Sequence, residues 1–301
     1  MPLKRGGKRS TAIQEVSPMD EDLLNVARRL EAASRGGKNS TQVVADIHTL
    51  ATAALLAQDE TEAEGEEECS KVIVTLVEAG AFPRLLDMTR QAAHDLIGKL
   101  RDQHLEELCA HLKDLLVLVK CCSDSLSAFD TFVPDDFLQS LHEVSKVIDA
   151  ITVQQDTSED DGLMAFAAII LTLHGFCLYN IVRHTERLAM DMAERTYALL
   201  ADLDTIGWIL RALKHYSPLL SEDARVVLAE FFAALTDGEP FLDYAAQYFA
   251  GETALLFVSF YDTTVVPLLE RGELKARLGA LDDFLSFLAR ERPDALGLRD
   301  E

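Results

Sequence analysis

Residues 72–88, VIVTLVEAGAFPRLLDM, constrain this chain more than any other stretch. Val72, Ile73, Leu76 and Val77 recur at helical spacing and share one face. Gly80 follows as a left-handed stop, because glycine enters that conformation without a Cβ penalty. Pro83 suits the first turn of a second helix, where a missing N–H costs nothing. Leu85, Leu86 and Thr89 continue that helix. Two helices therefore meet at a sharp corner. Neither can bury its apolar face alone, so both need neighbours stacked before and after them.

The rest of the chain repeats this alternation of apolar helix and break. Ser17-Pro18 caps a first helix, with Asp20, Glu21 and Asp22 in its first turn and Leu23, Leu24, Val26, Ala27 and Leu30 on its apolar side. Gly36-Gly37 ends it, and Ser40 or Thr41 caps the next. Residues 91–125 read as one long helix or two joined ones, with Leu105, Leu108, Leu112, Leu115 and Val119 as the stripe. Val133-Pro134 breaks the pattern, and Phe137, Leu141, Val144, Ile148 and Ile151 line a new helix. Residues 186–203 and 204–216 predict two more, and Ser217-Pro218 a corner before a helix over 221–235. No segment shows sustained period-2 alternation rich in β-branched residues, so the chain reads as all-α.

Polar segments punctuate the helices. Residues 59–68, DETEAEGEEE, carry seven acids in ten positions. Like charges at that density resist packing, which makes this a solvated inserted loop. Its Glu64, Glu66, Glu67 and Glu68 are candidate contacts for a basic partner. Residues 154–161 form a second acidic loop. Residues 1–16 read as a disordered basic tail with Lys4, Arg5, Lys8 and Arg9, a candidate nuclear-localisation signal. Residues 292–301 read as a polar C-terminal tail.

The corner carries a resemblance. Residues 77–88 resemble the junction in an armadillo repeat where an apolar helix ends at Ala-Gly and a proline opens the inner helix. Residues 40–56 resemble the repeat's preceding helix, so about one repeat is clear, over residues 40–91. Residues 221–235 resemble the second helix of such a unit. Residues 265–270 echo 82–87, and Asp135-Asp136-Phe137-Leu138 recurs as Asp282-Asp283-Phe284-Leu285. The resemblance implies an all-α, armadillo/HEAT-like right-handed helical solenoid of degenerate repeats over residues 17–291. It also implies partner binding along the groove formed by the inner helices. On the one clear inner helix, Arg84 and Arg90 are the candidate partner contacts.

Lys and Arg total 28 against 51 Asp and Glu, a net charge of −23. Phosphate backbones would be repelled, so nucleic acid is not the expected partner. A protein or peptide partner with basic segments fits the charge. Five cysteines without a CxxC pair point to buried thiols in a reducing compartment, hence a cytoplasmic or nuclear setting. No secretory leader is expected.

The chemistry-bearing residues fall short of known site patterns. His104, Glu107 and His111 share a helix side but lack the spacing of paired metal ligands. His174 and Cys177, one turn apart, read as a hydrogen-bonded core histidine and a buried thiol. Cys121-Cys122 has only Lys120 nearby to lower a thiol pKa. The pairs Asp135-Asp136, Asp160-Asp161 and Asp282-Asp283 invite comparison with all-α, magnesium-dependent terpene synthases. Gln139 stands where that family's third acid would be, and the pairs read as helix N-terminal acids. No phosphate-binding glycine motif or nucleophile elbow occurs. No cofactor or metal is expected.

Residues 163–181, LMAFAAIILTLHGFCLYNI, are apolar over the length of a membrane span. Thr172, His174, Gly175 and Asn180 interrupt them, and no second window of that kind is expected. A helix buried on all sides is the expectation, with no membrane partner. The reading that results is a non-enzymatic interaction scaffold, with an all-α enzyme of terpene-synthase type as the alternative.

Overall fold

The computed structural model describes residues 18–32, 41–59, 74–101, 104–124, 134–155, 161–185, 190–237, 249, 251–270 and 274–291. Among them there are helices and turns and no strand. In chain order the helices are α1 (Pro18–Ala32), α2 (Thr41–Asp59), the short α3 (74–78), α4 (Phe82–Gly98), α5 (Leu105–Asp124) and α6 (Pro134–Gln155). They continue with α7 (Asp161–Thr185), α8 (Met190–Asp202), α9 (Thr205–Tyr216), α10 (Glu222–Asp237), α11 (Glu252–Leu269) and α12 (Lys275–Glu291). The acidic run 60–68 and both chain ends lie outside the described residues.

The corner forms as its residues dictate. Gly80 has φ +68°. The Ala81 N–H reaches back to the Leu76 carbonyl at 2.9 Å and the Gly80 N–H to the Val77 carbonyl at 3.0 Å. This crossed pair satisfies carbonyls the helix end would otherwise orphan. Pro83 sits in the first turn of α4, and Phe82, Leu85, Leu86 and Leu96 are buried along one side. The 91–125 stretch resolves into two helices, because α4 ends at Gly98 and α5 starts at Leu105.

The helices pack in two successions. In one, α2, α5, α7, α10 and α12 each lie against the next. In the other, α1, α4, α6, α9 and α11 do the same, with α8 against both α6 and α9. Contacts such as α4 with α5 and α6 with α7 join the successions. One contiguous set of buried side chains runs from Ala27 on α1 to Leu288 on α12.

The most apolar helix, α7, touches α5, α6, α8, α9 and α10. Its polar residues find partners on a neighbouring helix or in its own preceding turn. Asn180 Nδ2 donates to Ser123 Oγ on α5 at 3.0 Å, and the Thr172 hydroxyl to the Ala168 carbonyl at 2.8 Å. Gly175 is where α10 comes closest: a Cβ there would lie 2.7 Å from Leu228 Cδ2. These are the arrangements of a protein core, where buried polar groups need partners. By length and composition α7 and α11 both meet the criterion for a span, so α11 corrects the expectation of a single window.

Two further expectations are corrected. Residues 265–269, most of the echo of the corner, form no corner but lie within α11, and Glu270 is the turn after it. There a π turn, Tyr261–Val265, ends two residues before Pro267, with the Val266 N–H donating to the Tyr261 carbonyl. A proline within a helix lacks a donor and collides with the carbonyl four residues back, and the widened turn absorbs both defects. Asp282-Asp283 lies in the middle of α12, not at a helix N-terminus. There Asp282 accepts a hydrogen bond from the Tyr261 hydroxyl, which burial and the carboxylate push up to about 12.

Candidate functional site

A cleft of about 180 Å³ opens where α6, α7 and α9 meet. On α6, Leu141, His142, Ser145 and Asp149 fall at i, i+1, i+4 and i+8, so they line one face. Trp208 and Arg211, one turn apart on α9, form the opposite wall, and His174 of α7 lines the cleft between them.

The turn into α9 shapes this wall. Asp204 has φ 50°, the one positive φ at a non-glycine among the described residues. Aspartate tolerates this left-handed position better than most side chains. Its carbonyl accepts the Trp208 N–H at 2.9 Å, which starts the helix. Its carboxylate folds over Gly207, where a Cβ would lie 2.5 Å from Asp204 Oδ1. Gly207 therefore permits the placement, and Arg211 Nη2 donates to Asp204 Oδ2 at 2.6 Å.

His174 is 1% exposed. Its Nε2 lies 3.2 Å from the Leu141 carbonyl oxygen. A carbonyl only accepts, so Nε2 carries the proton and Nδ1 presents a lone pair. That Nδ1 is buried and has no hydrogen-bond partner. Burial pushes the imidazole down to about 4, so it is neutral at pH 7. The ring meets Trp208 edge to face at 4.9 Å between centroids. The Trp208 indole N–H in turn donates to Asp149 Oδ1 at 2.9 Å. Burial also lowers His142, with Lys146 adding to the effect. The Ser145 hydroxyl proton is engaged by the His142 carbonyl at 2.7 Å. The cleft thus offers two carboxylates as acceptors, with a neutral imidazole in its wall.

Of the residues singled out from sequence, His174 lines the cleft and the others lie elsewhere. Arg84 and Arg90 sit on α4 beside their own acids: Arg90 donates to Asp87 and stands 4.0 Å from Asp136 of α6, and Arg84 Nη1 lies 3.9 Å from Asp87 Oδ2. Glu64, Glu66, Glu67 and Glu68 fall outside the described residues. His104 and Glu107 are exposed, 3.8 Å apart, whereas both ring nitrogens of His111 are buried without hydrogen-bond partners. Desolvation lowers the His111 pKa against the pull of Asp114 and Asp95. Cys121, Cys122 and Cys177 are buried, and burial pushes the Cys177 thiol up to about 12. Asp135 and Asp136 open α6 and Asp161 opens α7. Asp135 is held by Arg195 of α8. Among the described residues no three His, Cys, Asp or Glu side chains converge on a metal position.

Besides His174, the cleft is lined by Trp208, Asp149 and Asp204, and neither Cys177 nor the Asp pairs take part in it. One signal was available: Trp208 is the single tryptophan of the chain. No protein-family model, curated protein or solved structure matches the chain.

Proposed function

We propose that this chain is a non-enzymatic interaction scaffold, an armadillo-like right-handed α-solenoid that binds a basic segment of a protein partner. The observation that carries this reading is a series of clefts between consecutive helices of one succession. Ile97 and Arg101 of the α4 end face Val153 and Gln154 of α6 across about 380 Å³. The His174–Trp208 cleft lies between α6 and α9. Leu213 and Ser217 face Leu256, Phe260 and Thr264 of α11 across about 230 Å³. Stacked helix pairs present such gaps in series, and an extended partner occupies several at once. A net charge of −23 favours a basic partner.

Solution scattering and cross-linking mass spectrometry of partners captured from the native cell test the reading. The expected outcome is an elongated particle whose partner cross-links fall on α4, α6, α9 and α11, with capture weakening as salt rises. A spherical particle, or cross-links confined to α5, α7 and α12, would overturn it.

A further inference from the structure

We propose that the cleft between α6 and α9 receives the guanidinium of an arginine side chain from the partner protein. This assignment rests on the scaffold reading and names what one of its clefts holds.

The first support is a ring-lined wall: His174 and Trp208 both line the cleft, their rings edge to face at 4.9 Å between centroids. The second is the sign of the surroundings. Asp149 and Asp204 are both exposed carboxylates at the cleft, and His142 and His174 add no charge at neutral pH. Among the described residues that line the cleft, Arg211 is the cation, and its bond to Asp204 offsets one carboxylate of the two. The balance is negative.

The third support is size and shape. About 180 Å³ is well below the roughly 300–1,000 Å³ of pockets for whole small-molecule ligands, and suits one side chain. Acceptors on separate walls ask for several donors in one rigid group. A guanidinium presents five N–H donors in a plane, whereas an ammonium is a point charge that meets fewer of them. The Trp208 ring forms part of the wall, and arginine packs well on aromatic surfaces. Arg211 already shows that a guanidinium is compatible with Asp204, at 2.6 Å.

Trp208 provides a direct readout, being the sole tryptophan. The full-length protein is titrated with the tripeptide acetyl-Gly-Arg-Gly-amide while Trp208 emission is followed. The expected result is a saturable change that the isosteric citrulline tripeptide does not produce and the lysine tripeptide produces more weakly. Asp149→Asn keeps an acceptor for the indole N–H but removes the charge, and weakens the arginine tripeptide at least about tenfold. Arg211→Gln frees Asp204 from its internal partner and strengthens binding severalfold. Equal binding of citrulline, unchanged affinity in Asp149→Asn, or weaker binding in Arg211→Gln would each overturn the assignment. Free arginine bound tighter than the tripeptide would identify a soluble small molecule as the occupant and overturn the partner side chain. A flat titration alongside partner cross-links on α4, α6, α9 and α11 defeats this assignment alone. Loss of those cross-links defeats the scaffold reading itself.

Discussion

His174 illustrates how burial turns one residue into a pH-dependent element of stability. Its folded pKa of about 4 lies below the 6.5 usual for a free imidazole. Between those values the unfolded chain binds a proton that the folded chain refuses. Stability therefore falls as pH drops from about 6.5 to about 4, by on the order of 3 kcal/mol for this residue. Burial lowers His111 and His142 as well, so they act in the same sense. Glu230 opposes them, because burial raises its carboxyl despite Arg277, and acid then favours its folded form. Replacing His174 isolates its share. Urea unfolding at pH 7, 5 and 4 is expected to show a flatter pH dependence in His174→Gln than in the wild type, and equal slopes would contradict the assignment. The sequence pattern already read His174 as a hydrogen-bonded core histidine. It could not show that Trp208 would be the neighbouring ring.

At the scale of elements, breaks were more legible than packing. Gly80, Pro83, Val133-Pro134 and Ser217-Pro218 each carry a local signal, and the helices stop or start at those positions. Ser221 caps α10 as its type suggests, accepting the Ala224 N–H at 3.2 Å. The close approach of α7 and α10 left no such signal. Gly175 sits in the middle of α7, and its purpose emerges only from Leu228, which is fully buried 2.7 Å from the absent Cβ. A branched side chain at 175 gains helix propensity but must displace Leu228 within a filled core. Gly175→Val is expected to lower unfolding free energy by about 1–3 kcal/mol in urea titration. A neutral effect would mean that the α7–α10 contact yields easily.

For the whole molecule, the C-terminal end depends on an aromatic cluster. Phe232 of α10 meets Phe257 of α11 at 5.8 Å between centroids, Phe257 meets Phe284 of α12 at 5.6 Å, and Phe284 meets Phe249 at 5.0 Å. Each pair is tilted or edge to face, the arrangement ring quadrupoles favour. Phe257 is fully buried at the centre. Phe257→Ala is expected to cost about 3–5 kcal/mol. If helices are stabilised mainly by their nearest neighbours, hydrogen exchange will quicken in α10, α11 and α12 and stay slow in α2, α4 and α5. An even loss of protection would instead identify a single cooperative unit.

The helical class, most of the breaks, and the apolar faces of the helices were legible in the order of residues. Those properties come from side chains within one or two turns of each other. Which faces meet, and so where the cleft lies, is fixed by packing between distant helices. Its defining bonds join His174 to Leu141, 33 residues apart, and Trp208 to Asp149, 59 apart. A periodicity confined to neighbouring turns says which side of a helix is buried, but carries no record of the distant helix that buries it.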